Sequence, residues 1–121
     1  MSEEQSWPSE IRVSPDKRKL KLVYISDKPA EFSAEFLRVH SPSAEVQGHS
    51  KDQKQTVAGK QNVEIMKIEP VGNYAVRITF DDMHNTGIFS WSYFGEMAEN
   101  QTDLWQAYLD ELEAKGMSRS A

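Results

Sequence analysis

Two aspartates and a histidine stand close together in the chain and form the first group that could do chemistry. Asp81, Asp82 and His84 directly follow a run of alternating apolar and polar residues. Carboxylates and imidazoles bind metals, but an iron facial triad needs two histidines, and zinc favours closed sets of histidine and cysteine. The other histidines, His40 and His49, lie upstream. We expect no metal site; the alternative is a small-ligand- or metal-binding protein that uses His84 with Asp81 or Asp82.

No pattern typical of an enzyme occurs elsewhere in the sequence. No serine stands in the Gly-x-Ser-x-Gly pattern of a nucleophile elbow, and the six glycines are scattered rather than gathered in a phosphate-binding loop. The chain has no cysteine, which excludes disulfides, thiol catalysis and thiolate metal sites from its own residues. We expect a protein that is not an enzyme and has no cofactor; a small enzyme of unknown reaction is the third alternative.

Charge and hydropathy restrict the partners and the compartment. The net charge of −5 argues against a nucleic-acid or anionic-membrane partner, because both need clustered lysine and arginine. Residues 17–21 are basic, but their lysines fall on one face of a predicted strand, which is typical of an exposed sheet edge. No apolar run approaches the roughly 20 residues of a membrane span. The start of the chain is acidic rather than signal-like, so we expect a cytoplasmic protein.

Aromatic residues are concentrated in the last third of the chain. Most of them should be core, because a small domain has few other residues with which to build one. The group comprises Phe89, Trp91, Tyr93, Phe94, Trp105 and Tyr108. An exposed remainder beside Arg38 and Arg77 would form a protein-docking patch, since tryptophan, tyrosine and arginine are favoured interface anchors.

Two β-hairpins are predicted to carry these residues. Strands are expected over residues 10–14 and 19–26, joined by a turn at 14–17, with a short extended piece at 30–32. A second pair covers residues 63–70 and 73–81, and Gly72 supplies the positive φ that its turn needs. In the last strand, every second residue from Tyr74 to Phe80 is apolar, which predicts one buried and one solvated face.

Helices are predicted after each hairpin. Ser33 should cap a short helix through Val39, Ser90 a helix over 91–98, and a last helix should span 101–115 before Gly116. These elements predict an α+β fold with a mainly antiparallel sheet built from two hairpins, a short middle helix and C-terminal helices. We expect a single domain over 7–116 that contains a long polar loop at 41–62. The composition of that loop favours disorder, and flexible ends are expected at 1–6 and 117–121.

Five segments match, in order, those of a known domain: PSEIRV (8–13), LR (37–38), SPSAEV (41–46), EPVGNYAV (69–76) and DMHNTGIFSW (82–91). Over about residues 7–97 the chain resembles the N-terminal domain of gamma-butyrobetaine hydroxylase-like proteins. That domain also occurs alone in bacteria as a domain of unknown function. Other members are fused to P-loop iron–sulfur carrier proteins.

The resemblance implies a zinc site that this chain cannot build. In the eukaryotic hydroxylases, three cysteines and one histidine bind a structural zinc. The histidine position matches His84, and the cysteine positions fall at Ser41, Ser43 and Val46. None of these supplies a thiolate, so we expect the site to be lost. The family turn carries a glycine where this chain has Met83, so we expect a positive φ to be lost there as well.

The resemblance also implies a non-catalytic module, because iron and 2-oxoglutarate chemistry belongs to a separate C-terminal jelly-roll domain that we do not expect here. We predict a binding or adaptor domain that docks to a partner protein whose identity and stoichiometry the sequence does not specify. The fusions suggest a link to iron–sulfur or carnitine-type metabolism. The residues expected to bind are Arg38, Ser43, Glu45, Tyr74, His84 and Trp91, with His84 and Asp82 as alternative metal ligands.

Overall fold

The first half of the chain forms a three-stranded antiparallel sheet. The computed structural model describes residues 7–25, 28–47 and 55–120. The strands, in chain and sheet order, are β1 (Glu10–Val13), β2 (Lys19–Val23) and β3 (Ala30–Ser33). Leu20 lies opposite Phe32 in the β2–β3 register, and Leu22 shares their buried face. The lysines of β2 point the other way, as the alternation predicts.

The turn between β1 and β2 links this sheet to the rest of the molecule. Lys17 donates its backbone N–H to the Ser14 carbonyl at 2.9 Å, closing the predicted turn, and has a φ of 64°. The Lys17 carbonyl then accepts the backbone N–H of Ile65 at 2.8 Å. This bond places the start of the second sheet beside the first.

The second sheet is also antiparallel and three-stranded. Its strands, in chain and sheet order, are β4 (Ile65–Val71), β5 (Ala75–Phe80) and β6 (Gly87–Ser90). Alternate residues of β5, Val76, Ile78 and Phe80, are buried, whereas Arg77 between them is exposed. Tyr74 does not continue the buried face as the alternation predicted. It precedes β5 in the turn and is half exposed.

Serine caps begin two of the helices. The helices are α1 (Ala34–Val39), α2 (Ala44–Gln47), α3 (Trp91–Glu99) and α4 (Gln101–Ala114). The Ser33 hydroxyl accepts the Phe36 N–H at 2.9 Å, and the Ser90 hydroxyl accepts the Tyr93 N–H at 3.1 Å, as predicted. Gly116 follows α4 with a φ of 65°, the left-handed conformation that suits a helix end.

The core lies between the inner faces of the two sheets and the helices packed on them. Its fully buried large side chains include Leu20, Leu22, Phe32, Leu37, Ile78, Phe80, Phe89, Phe94 and Met97. A smaller buried cluster joins Val39 of α1 to Tyr108 and Leu112 of α4. The α+β prediction is confirmed. The extended piece predicted at 30–32 is β3, and β6 joins the second hairpin, so the strands form two three-stranded sheets.

Described residues of the polar loop and of the tail make hydrogen bonds with the rest of the domain. The 41–62 segment contains α2, and Tyr108 donates its hydroxyl to the Val57 carbonyl at 2.6 Å. The Ser118 carbonyl accepts the Gly59 N–H at 2.9 Å, which joins the residues after α4 to the segment before β4. Residues 48–54, the predicted flexible end 1–6 and residue 121 lie outside the described part of the chain.

None of the helices in the described ranges combines the length and the apolar character that crossing a membrane would require.

Candidate functional site

The turn after β5 brings a carboxylate against two cations. Asp82 Oδ2 lies 2.7 Å from Arg38 Nε on α1 and 2.6 Å from Lys60 Nζ. Its Oδ1 accepts the backbone N–H of His84 at 3.1 Å. Arg38, Lys60 and Asp82 are referred to below as the Asp82 ion triad. The triad joins α1, the segment before β4 and the β5–β6 turn.

The Asp82 carboxyl is ionised at neutral pH. Burial raises the pKa of the Asp82 carboxyl, but hydrogen bonds from Lys60, from the His84 backbone and from Arg38 outweigh it and lower the pKa to about 2. Two cations and one anion leave a net charge of one positive on the triad. Arg38 Nη1 is buried and has no hydrogen-bond partner within the described residues. Arg38 Nε, Lys60 Nζ and both Asp82 oxygens are bonded within the domain.

A buried histidine and two serines meet behind the triad. The Nε2 atom of His84 lies 2.9 Å from the Ser41 hydroxyl and 3.4 Å from the Ser43 hydroxyl. All three side chains are at least 94% buried. Ser41, Ser43 and His84 are referred to below as the serine–histidine cluster. It joins the end of α1 to the turn after β5.

Gly87 is required by this packing. A Cβ atom at position 87 would lie 2.3 Å from the Ser41 hydroxyl oxygen and 3.1 Å from the ring of Phe89. Separations of that size are well inside van der Waals contact. Both neighbours are fully buried, so neither has room to move away. Only glycine lets β6 approach Ser41 closely enough for this arrangement.

The residues of the serine–histidine cluster do not fit the zinc that the family resemblance implies. The structure brings together Ser41, Ser43 and His84, three of the four implied ligand positions, and the fourth, Val46, is also buried. Two hydroxyls, an isopropyl group and one imidazole lack the thiolates of a structural zinc site. No group of three or more histidine, cysteine or acidic residues in the described ranges could hold a metal ion.

The alternative site of His84 with Asp81 or Asp82 is not assembled either. The His84 ring points to Ser41, and Asp82 is committed to the ion triad. Asp81 Oδ1 accepts the backbone N–H of Glu64 at 3.1 Å, which ties the start of β4 to the turn. The two carboxylates therefore bond to backbone N–H groups and to two cations, whereas the His84 imidazole contacts the Ser41 hydroxyl.

The Ser41–His84 contact has the distance of a nucleophile and its base. Serine hydrolases place the hydroxyl within about 2.6–3.2 Å of the histidine, and 2.9 Å lies in that range. However, Ser41 is 0% exposed, and Asp82, two residues before His84, accepts the backbone N–H of His84. A substrate carbonyl has no path to this hydroxyl in the observed conformation. The geometry supports a structural hydrogen bond.

The opposite end of β5 carries an aromatic turn. The Trp91 indole N–H donates to the Asn73 carbonyl at 3.0 Å, and its backbone N–H donates to the Tyr74 carbonyl at 3.0 Å. The Trp91 ring stacks on Phe94, with 6.1 Å between centroids. The Tyr74 side chain is 53% exposed. Asn73, Tyr74 and Trp91 are referred to below as the aromatic turn.

The six residues predicted to bind fall in two places. Arg38, Ser43 and His84 lie in or beside the serine–histidine cluster and the ion triad, and Tyr74 and Trp91 form the aromatic turn. The six residues of β5 separate the two groups by about 20 Å. Glu45 belongs to α2, and its side chain lies outside the described part of the structure.

The prediction for Met83 was wrong. Met83 keeps a positive φ of 75° although it has a side chain where the family has glycine. Hydrogen bonds on both sides hold the turn, because Met83 N–H donates to the Phe80 carbonyl and Phe80 N–H to the His84 carbonyl, both at 3.0 Å. The Met83 side chain is 81% exposed, so the only penalty is the backbone strain.

Of the two contributing residues that the sequence did not predict to bind, one had no signal and the other had only an indirect one. Lys60 lies in a polar segment without periodicity, and nothing local points to Asp82. Ser41 stood among the implied zinc positions, and that correspondence could have placed it beside His84. A long-range ion pair and a long-range hydrogen bond depend on the fold rather than on spacing.

A cleft of about 230 Å³ opens near the end of α1. Its lining residues are His40, Gln47, Tyr93, Glu96, Met97, Asn100 and Leu104. Three of its polar side chains already bond within the domain: Gln47 to the Ser41 carbonyl, Tyr93 to the His40 carbonyl and Asn100 to the Glu96 carbonyl. These groups are therefore not directed at a ligand.

Comparison with known proteins places the chain in a family. Residues 11–95 match the family model described as gamma-butyrobetaine hydroxylase-like, N-terminal. No curated protein matches the chain. One similar NMR solution structure is 43% identical with a TM-score of 0.83, and the match covers 97% of this chain and 92% of that one. A second is 40% identical with a TM-score of 0.81, and the match covers 98% of this chain and 90% of that one.

A crystal structure is also similar over most of its length. It is a protein of unknown function of the DUF971 family from Acidithiobacillus ferrooxidans ATCC 23270, 34% identical with a TM-score of 0.65. The match covers 80% of this chain and 98% of that one. The family match spans well over half of the residues and includes both ends of β5. The chain therefore belongs to the gamma-butyrobetaine hydroxylase-like N-terminal domain family.

Proposed function

We propose that this chain is a non-catalytic, cytoplasmic adaptor module that docks a partner protein at the aromatic-turn end of the second sheet. One observation carries the proposal: Tyr74 is half exposed although the turn that holds it is bonded to Trp91 at two points. An exposed tyrosine on a fixed backbone is a favoured interface anchor, because an aromatic side chain has few rotatable bonds and loses little conformational entropy on binding.

The neighbouring surface has the mixed character of a protein interface. Arg77 and Ile88 are cross-strand neighbours on β5 and β6, and both are more than 40% exposed. Glu69 lies 3.4 Å from Arg77 and adds an acidic group beside it. An aliphatic side chain beside an arginine, on strands that lead to the aromatic turn, suits a protein partner, whose interface cores favour aromatic residues and arginine. A nucleic acid would need a basic surface instead.

The family suggests where to look for the partner. Members fused to iron–sulfur carrier proteins or to hydroxylase domains favour a partner from iron–sulfur or carnitine-type metabolism. This support is an analogy at the level of the fold, and the site itself must supply the test.

Crosslinking from the turn tests the proposal directly. A photo-crosslinkable amino acid at position 74 should capture one protein in cells, and the same group at position 7 should not. Trp7 is the matched control because it is an exposed aromatic, 60% accessible, outside the second sheet. The captured protein is then purified and titrated against variants of the whole chain.

Tyr74→Ala should bind this protein about tenfold more weakly or worse than the wild type, because truncating an interface anchor costs more than about 1 kcal/mol. Trp7→Ala should bind as tightly as the wild type. Equal binding by Tyr74→Ala and the wild type, or no capture from position 74 above that from position 7, would contradict the proposed function.

A further inference from the structure

A buried glutamate of α1 holds an arginine that follows α4. Glu35 is 5% exposed, and its two carboxylate oxygens accept Nε and Nη2 of Arg119 at 2.9 and 2.8 Å. The two residues are 84 positions apart in the sequence. A guanidinium makes this paired, planar contact with a carboxylate, and an ammonium group cannot reproduce it.

An aromatic ring completes a slot around the guanidinium. The central carbon of the Arg119 guanidinium lies 5.2 Å from the Trp105 ring centroid. This separation is within the range of a cation–π contact. The slot therefore offers a buried anion on one side and an aromatic face on another, two features that select arginine.

Main-chain bonds fix the segment that carries the arginine. The Gly59 N–H donates to the Ser118 carbonyl at 2.9 Å, and the Gln61 N–H donates to the Arg119 carbonyl at 3.0 Å. Peptide-binding sites commonly combine main-chain hydrogen bonds, which accept any sequence, with one side-chain pocket, which provides specificity. Residues 117–120 are held in this manner by their own domain.

We propose that Glu35, Trp105 and the backbone N–H groups of Gly59 and Gln61 form a receptor for an arginine-bearing segment of a partner protein. In the observed structure, residues 117–120 of the same chain occupy this receptor and so act as a competing internal ligand. The receptor lies on α1, α4 and the segment before β4. It does not involve the aromatic turn and does not depend on the docking function proposed above.

Charge and access favour a basic external occupant. The acidic residues of α4 are Asp103, Asp110, Glu111 and Glu113, and this helix has no lysine or arginine. Arg119 remains 39% exposed although Glu35 is buried, so the slot opens to solvent on the arginine side. An incoming guanidinium can replace the internal one without leaving Glu35 as an unpaired buried carboxylate.

Peptide binding to the full-length Arg119→Ala variant tests the proposal. The probe is a synthetic peptide of residues 117–121, MSRSA, blocked at both ends, with MSKSA as its matched control. We expect saturable binding of MSRSA by tryptophan fluorescence and a rise in the thermal midpoint, and at least tenfold weaker binding of MSKSA. Arg119→Lys serves in the same titration should Arg119→Ala fail to fold.

Three further measurements test the proposed receptor. The double variant Arg119→Ala/Glu35→Gln should lose the response to MSRSA, and Arg119→Ala/Tyr74→Ala should keep it. Excess MSRSA should shift the Trp105 indole signal of the wild-type chain by displacing residues 117–120. Absence of saturable MSRSA binding to a folded Arg119 variant, or equal binding of MSRSA and MSKSA, would overturn the proposal and leave the Arg119 contact as an internal brace.

Discussion

The side chains at the two ends of β5 differ in how deeply they are buried. At the Phe80 end, the ion triad and the serine–histidine cluster are largely buried and join residues 44 and 43 positions apart. At the Ala75 end, the bonds of the aromatic turn come from Trp91, and Tyr74 stays half exposed. Buried polar groups stabilise a fold only when they bond to each other, whereas an exposed aromatic ring is available to another molecule. The first end holds the domain together, and the second is the end at which we propose that a partner docks.

The largest effect is expected where the buried end is most tightly packed. Gly87→Ala should lower the free energy of unfolding by about 2–3 kcal/mol, because the added methyl group overlaps Ser41 in a core without free space. Urea denaturation measures the change. Gly95→Ala is the control, since nothing lies within 4 Å of its added Cβ in α3, and it should gain about 0.5–1 kcal/mol.

The double variant Ser41→Ala/Gly87→Ala sharpens this result. Removing the Ser41 hydroxyl leaves only its Cβ, 3.5 Å from the new methyl group, so part of the loss should be recovered. Additive losses in the double variant would mean that the Ser41 hydroxyl is not the group that the methyl meets.

The ion triad should provide the next largest effect. Asp82→Asn should lower the free energy of unfolding by about 2 kcal/mol, because it leaves the largely buried Arg38 without its counter-charge. The measurement is again urea denaturation at pH 7. Arg12→Ala breaks an ion pair with Glu10 that is open to solvent and should leave stability unchanged. Equal effects of the two substitutions would refute the distinction between buried and exposed pairs.

The Asp82 carboxylate should make the free energy of unfolding depend on pH. Its pKa falls from the ordinary 3.8 to about 2 on folding, so its stabilising contribution is fully present above about pH 4 and is lost as the pH falls through 2. The contribution of this shift is about 1–2 kcal/mol. Asp82→Asn lacks this contribution, so the difference in the free energy of unfolding between the wild type and the variant should become smaller as the pH falls from 4 to 2. A constant difference in the free energy of unfolding over that range would show that folding does not lower the pKa of Asp82.

Glycine should be the more stable residue in both turns that flank β5, because both contain a positive φ. Met83→Gly should raise the free energy of unfolding by about 0.5–1 kcal/mol, because glycine adopts a φ of 75° without strain. Gly72→Ala should lower it by about 1 kcal/mol, since Gly72 has a φ of 55° and its Cβ would crowd the Tyr74 ring. Thermal unfolding monitors both. A stability loss in Met83→Gly would show that the methionine side chain contributes more than the strain costs.

The smallest change in stability belongs to the binding end. Tyr74→Ala should alter the free energy of unfolding by no more than about 0.5 kcal/mol, because the half-exposed ring contributes little to core packing. The same variant should lose the docked partner, which separates binding from folding. A loss above about 2 kcal/mol would place Tyr74 with the core residues and remove the contrast between the two ends of β5.

Short-range features of the fold followed from the sequence with few errors. The caps at Ser33 and Ser90 and the turn at Gly72 depend on residues within four positions of each other. Met83 was mispredicted because residue type alone does not reveal that neighbouring hydrogen bonds hold a strained backbone. The grouping of the predicted binding residues could not follow from spacing, since 41 positions separate Ser43 from His84.

The sequence by itself determined three of the four described helices, the hairpins, the family and the loss of the zinc ligands. Each of these depends on local propensity, on alternation or on the chemistry of single side chains, all of which can be read from the chain. Only the tertiary structure decided that Ser41 meets His84, that Lys60 joins Asp82 and that Arg119 occupies the slot beside Glu35. Such contacts form because packing of the two sheets and α4 brings distant segments together, and short-range sequence patterns carry no record of that geometry.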